Sequence, residues 1–177
     1  NEFLVGHVGR FAPPKNHTFL LKIFSEFKRI EPSAKLMLVG GGDREPDIIQ
    51  EAERLGIISD VIFTGVRADV NELMQAMDVF VSLYEGLPVT MVEAQAAGLP
   101  CVISDKVPIE CTIVDGLVTS VNLSDALNVW ADAIMRTKSV KRQSHMGELT
   151  AAGFDIHQAA KWLEYFYLEK EGKTVHE

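Results

Sequence analysis

Short apolar runs alternate with longer stretches of helical spacing along most of the chain. Leu4–Val8 is apolar enough for a buried strand. A loop over residues 9–15, with Pro13 and Pro14, leads to Phe19, Leu20, Ile23, Phe24, Phe27 and Ile30 at helical spacing. Asn16 stands where an N-cap belongs, and Pro32 where that helix must stop. Lys35–Val39 is a second strand, Gly40-Gly41-Gly42 a turn, and Pro46 opens a helix that ends before Gly56. Residues 61–63 predict a strand closed by Thr64-Gly65, 72–77 a short helix and 78–82 a further strand. A helix of small and apolar residues then stops near Gly98, and 101–103 is again a strand.

Beyond Ser104 the pattern weakens. Residues 113–114 and 117–118 each have the makings of a short strand. Ser124 is placed to cap a helix carrying Leu127, Val129, Trp130, Ala133 and Ile134. Residues 138–145 are polar and basic, a loop or helix edge. Asp155 opens a last helix with Ala159, Trp162, Leu163, Phe166 and Tyr167, and 171–177 read as a frayed tail. The strand–helix alternation predicts an α/β fold, a doubly wound, Rossmann-like parallel sheet with helices on both faces, over residues 1–170.

Composition narrows the chemistry. The 177 residues carry 17 basic against 25 acidic side chains, a net charge of −8, which argues against a general nucleic-acid surface. A few local cations can still hold a small anion. Cys101 and Cys111 form neither a disulfide framework nor a metal motif, and they fit a reducing cytoplasm. No basic, apolar leader precedes the first strand, so no signal peptide is expected. The chain opens without an initiator Met and almost at once in a strand, which points to a domain cut from a longer protein.

Three constellations carry candidate chemistry. Arg10 and Lys15 lie in the loop before a helix N-terminus, where amides, dipole and cations together suit an anion. Glu85 and Glu93 flank the start of the helix after the fourth strand. Glu93 is the only charge between Gly86 and Ser104, and a carboxylate in so apolar a run is expensive unless something satisfies it. Either a ligand or a core cation or amide could do so. Gly40-Gly41-Gly42 follows a strand and precedes a helix, but it is not the spaced dinucleotide fingerprint. It reads as a turn that lets a ligand or another backbone approach closely. In a doubly wound sheet all three lie on loops at one edge, where such sheets bind ligands. Two carboxylates beside an anion site suit a sugar nucleotide.

The order Gly9-Arg10-x4-Lys15-Asn16, Val39-Gly40-Gly41-Gly42, Phe63-Thr64-Gly65, then Glu85-Gly86-Leu87-Pro88-x4-Glu93-Ala94-x3-Gly98-Leu99-Pro100 resembles a known family. It is similar to the carboxyl-terminal domain of retaining GT-B glycosyltransferases of family 4, of the bacterial capsular and exopolysaccharide kind. The resemblance covers residues 3 to about 170. It implies one half of a GT-B fold and a hexose transferred from a UDP-sugar to a glycan or lipid-linked acceptor. Arg10 and Lys15 would hold the diphosphate and stabilise the leaving group. Glu93 would accept bonds from ribose hydroxyls, and Glu85 from hydroxyls of the transferred sugar. The backbone of the segment Leu87, Pro88, Val89 and Thr90 would meet the distal phosphate and the sugar through its amides. Gly40 would border the nucleotide, and Val66 and Arg67 the base. No metal or other cofactor is expected, since cations and a helix dipole take that role. Many relatives have Gly-Phe-Gly where this chain has Gly86-Leu87-Pro88, which removes one amide donor.

The resemblance further implies an amino-terminal acceptor domain as the chain's own partner, with membrane contact only through that domain. The location implied is the cytoplasm, peripheral to the inner face of the membrane. Without its partner the domain would bind donor and transfer nothing. A binding module without catalysis, or a GT-B sugar-nucleotide epimerase domain, would share much of this pattern.

Overall fold

Six parallel strands form the sheet in a computed structural model that describes residues 2–84 and 89–170. They are β1 (Leu4–Val8), β2 (Lys35–Val39), β3 (Val61–Gly65), β4 (Val79–Ser82), β5 (Cys101–Ser104) and β6 (Val118–Val121). Their order across the sheet is β3-β2-β1-β4-β5-β6, each neighbouring pair parallel. Seven α-helices are described: α1 (His17–Ile30), α2 (Glu45–Arg54), α3 (Val70–Ala76), α4 (Val89–Ala96), α5 (Leu127–Arg136), α6 (Met146–Ala151) and α7 (Ile156–Lys170). The doubly wound, Rossmann-like α/β sheet read from the sequence is the one observed.

Strand side chains alternate between two cores, as the pleat requires. Leu36 and Leu38, with Val5, Val79 and Val81, pack against Leu20, Phe24 and Phe27 of α1 and Trp130 and Ile134 of α5. Met37 and Val39, with Phe80 and Ile103, pack against Met74 of α3 and Met91 and Ala94 of α4. Burial on both faces is why these strands read as unbroken apolar runs. Each large side chain so buried contributes about 1.5–3 kcal/mol.

A polar strap closes the far side. Residues 141–145 follow α5 and a short 3-10 turn, Thr137–Ser139, and lead into α6. Within the strap the Arg142 guanidinium donates to the carbonyls of Met74 (2.5 Å), Gln75 (2.6 Å), Met77 (3.0 Å) and Ala97 (3.2 Å). One side chain therefore caps the carboxyl ends of both α3 and α4. Gly98 lets the strap approach, because a Cβ there would stand 2.1 Å from the Gln143 carbonyl oxygen.

Several local expectations need correction. Asn16 precedes α1 but makes no side-chain cap. It takes a left-handed conformation (φ 52°, ψ 44°) as the chain turns out of a 3-10 turn, Pro13–Lys15. Ser124 caps nothing at α5, because its hydroxyl bonds Asn122 in a local turn and the helix starts three residues later. Residues 113–114 form no strand, since a side chain of α4 takes their amides. α6, six residues long, is too short to show a helical repeat in the sequence. Asp155 does open the last helix, accepting the Gln158 amide at 2.9 Å. The expected frayed tail, 171–177, lies outside the described residues.

Candidate functional site

The strand order reverses between β1 and β4, so the loops leaving these two strands diverge and open a crevice. The loop after β1 is held by its neighbours' backbones. Gly9 N–H donates to Val39 (3.0 Å), Phe11 N–H to Gly41 (2.9 Å), and Gly40 N–H to Gly65 (2.9 Å). Three loops are thus laced together at the carboxyl edge of the sheet. The glycine run makes this possible. At φ 137°, a Cβ on Gly40 would lie 2.1 Å from the Gly9 carbonyl oxygen, and one on Gly42 (φ 152°) 2.6 Å from that of Phe11.

The laced loops border an open cavity of about 430 Å³, lined by Gly9, Arg10, Gly40, Gly41, Val66 and Arg67 among others. Val66 is 86% exposed, a bare apolar surface at the mouth. Arg67 is tied bidentately to Asp69 at 2.8 and 2.6 Å, which holds the Asp69 carboxyl below its usual range. Arg10 is exposed at the rim. Lys15 reaches across the crevice and donates to the Tyr84 carbonyl at 3.4 Å. Beneath the loop, His7 Nδ1–H donates to the Val81 carbonyl oxygen at 2.8 Å, an acceptor that places the proton on Nδ1. His17 is 4% exposed, and burial, with the like charges of His7 and Lys15, lowers its pKa to about 3.

α4 carries the other candidates. Val89, its first residue, is exposed, and Thr90 is half-buried. Glu93 is exposed, so the cost expected of a carboxylate in an apolar run is avoided by turning it outward. It lines, with Val89, a second cavity of about 350 Å³ closed by Cys111, Met146, Leu149 and Phe154. Arg10, Gly40, Val66 and Arg67 are therefore brought together, while Val89 and Glu93 border a separate hollow. Glu85, Leu87 and Pro88 lie outside the described residues.

The buried polar group of α4 is Gln95. Its amide donates to Met91 O (2.9 Å) and Cys111 O (2.7 Å), and its carbonyl accepts from the amides of Ile113 (2.9 Å) and Val114 (3.0 Å). All four bonding positions are filled, which fastens the segment after β5 beside Glu93. A lone amide among small apolar residues is its one signal in the sequence.

Among the described residues no group of three or more His, Cys, Asp or Glu could hold a metal ion. No described helix is long and apolar enough to cross a membrane.

Residues 2–138 match the family described as glycosyl transferases group 1. A Bacillus subtilis (strain 168) protein assigned by name as a glycosyltransferase, EpsF, is 42% identical over 163 residues, covering 89% of this chain and 42% of that protein. The UDP-Gal:alpha-D-GlcNAc-diphosphoundecaprenol alpha-1,3-galactosyltransferase of Escherichia coli is 29% identical over 181 residues, covering 96% of this chain and 46% of the enzyme. The chain thus spans less than half the length of these relatives. Among solved structures, Anabaena Alr3699/HepE in complex with UDP superposes with a TM-score of 0.73 at 24% identity, over 93% of this chain and 49% of that one.

Proposed function

The chain belongs to the glycosyl transferases group 1 family, and we propose that it is the donor-binding, carboxyl-terminal half of a retaining GT-B glycosyltransferase. Its donor is a UDP-sugar, and the parent enzyme transfers a hexose to a glycan or lipid-linked acceptor. The observation that carries this reading is the crevice between β1 and β4. There two cations follow one strand, and Lys15 spans to the end of the other.

In this reading the base rests against Val66 and Arg67 in the 430 Å³ cavity, and Glu93, at the neighbouring hollow, is assigned the ribose hydroxyls on the resemblance of its motif. Arg10 grips diphosphate oxygens with its fork while Lys15 supplies a mobile point charge. Both neutralise charge that grows on the diphosphate as the bond from the sugar's anomeric carbon to phosphate oxygen breaks. The first amides of α4, at Val89 and Thr90, face the distal phosphate, and Glu85 accepts from the sugar's hydroxyls. The acceptor hydroxyl then bonds to the anomeric carbon on the face the phosphate left, its proton passing to the departing diphosphate. In this reading no metal is required, because the two cations and the helix amides would offset the charge that develops on the diphosphate.

The acceptor is held by an amino-terminal domain, the chain's own partner, and that domain makes any membrane contact, at the inner face. The protein works in the cytoplasm. Because acceptor and donor must be held together for transfer, the chain alone binds donor and turns over nothing. By itself it is a nucleotide-sugar-binding module.

Calorimetric titration of nucleoside diphosphates and their sugars into the chain tests the proposal. UDP and a UDP-sugar should bind more tightly than ADP or GDP species. Equal or absent binding across the panel would refute it. In the full-length parent, the product should keep the donor's anomeric configuration.

A further inference from the structure

Under the anion loop lies a chain of rings that none of the proposed contacts uses. His17, the first residue of α1, meets His7 of β1 edge-on at 4.9 Å between centroids, and Phe11 of the loop edge-on at 4.8 Å. Phe11 in turn meets Phe63 of β3 at 6.3 Å, and His7 lies parallel to Phe80 of β4 at 6.3 Å. The ribbon therefore runs from β4 through β1, α1 and the loop to β3. It crosses below the crevice that the strand reversal opens.

The geometry bears directly on the two cations. Phe11, next to Arg10, is 1% exposed and is the loop's inward anchor. His17 lies two residues after Lys15, across the left-handed Asn16. On the other side of the loop, a Cβ on Gly9 would stand 3.0 Å from His7 Nε2 and 3.7 Å from Lys15 Cδ, so the backbone of the loop rests on the rings. His17 Nε2 is buried with no hydrogen-bond partner among the described residues. A buried imidazole nitrogen left without a partner costs stability, so what the position gains must come from the shape of the ring. Burial, together with the nearby Lys15 and His7, also disfavours a positive charge on the His17 ring.

We infer that His17 is a positioning residue for the phosphate-binding loop: its flat ring, wedged between Phe11 and His7, sets where Arg10 and Lys15 stand. This rests on the reading of that loop as a diphosphate site. His17 touches no ligand and gives no proton. It acts through Phe11 on one side and the Asn16 turn on the other.

The two ideas separate in one set of titrations, using UDP and uridine as probes on the whole chain. His17→Ala should weaken UDP binding by about tenfold, the size of one misaligned charge-assisted contact, and leave uridine binding unchanged. His17→Phe, which keeps a flat ring and removes both nitrogens, should bind UDP like the native chain. If His17→Ala does not fold, His17→Leu fills the space without a flat ring and should show the same selective loss. The inference is overturned if Arg10→Ala weakens UDP while His17→Ala and His17→Leu do not. Loss of UDP affinity in His17→Phe, or equal loss of UDP and uridine in His17→Ala, also overturns it. If Arg10→Ala and Lys15→Ala both leave UDP affinity untouched, the diphosphate reading fails, and the inference with it.

Discussion

The ammonium of Lys15 lies 3.4 Å from the carbonyl oxygen of Tyr84, joining the loop after β1 to the end of β4. The two residues are 69 apart in sequence and meet only because the sheet reverses its strand order between those two strands. The proposed diphosphate contacts are organised around that meeting.

Gly40 should tolerate no side chain. Gly40→Ala places a methyl 2.1 Å from the Gly9 carbonyl oxygen at φ 137°, so the first two loops must separate. Strain of this kind costs about 1–3 kcal/mol before any clash is counted. Thermal unfolding should show a lower midpoint, and UDP affinity should fall with it. Gly56→Ala, at φ 71° with no atom within 4 Å of its Cβ, is the control. It should lower the midpoint less and leave UDP affinity unchanged.

Glu93→Gln separates ligand from scaffold. The carboxylate is exposed, so the midpoint of unfolding should not move. Uridine and UMP binding should weaken, while inorganic pyrophosphate binding should not, because the proposed partners are ribose hydroxyls. A lowered midpoint with nucleotide affinity intact would make Glu93 a structural acid.

Acid should weaken the fold through His17. Its pKa is about 3 in the folded chain against 6.5 unfolded, so between these values the unfolded state binds more protons. Stability is full above pH 6.5 and falls as pH drops toward 3. The loss is on the order of a few kcal/mol. His7 and Lys15, both facing the ring, oppose its protonation. His17→Phe should show a shallower decline over that range. An identical pH profile would mean that the histidine charges freely in the folded chain.

Removing α7 should leave the body intact. Trp162, Tyr165 and Tyr167 are 62, 52 and 64% exposed, and the Trp162 ring stacks on Phe166 of the same helix at 5.4 Å. Truncation after Asp155 should therefore keep the unfolding midpoint of the native chain. A large drop would show that the helix covers the core in solution.

Much of the framework was legible because its signals are local. Lys35–Val39 is a buried strand by composition alone, and a run of three glycines announces a close approach of backbones. The site was legible in part for the same reason, since Arg10 and Lys15 sit directly after a strand and before a helix. What stayed hidden depends on partners far along the chain. Arg142 finds its carbonyls 45 to 68 residues away, and Gln95 bonds a segment up to 19 residues on. Nothing in the neighbourhood of either marks it as a clamp. His7 and His17 carry no local signal, and only the fold sets their rings edge-on. Glu93 lies in an apolar sequence but not in an apolar surrounding, because a helix of eight residues presents an outer as well as an inner face.

The central claim is that Arg10 and Lys15, at the reversal between β1 and β4, hold the diphosphate of a nucleotide. Calorimetric titration of UDP into the native chain and into the Arg10→Ala and Lys15→Ala variants tests it most directly. The native chain should bind one UDP. Each substitution should weaken binding by about 1–3 kcal/mol, as expected for a charge-assisted bond, with the unfolding midpoint unchanged. Unaltered UDP affinity in both variants would contradict the assignment.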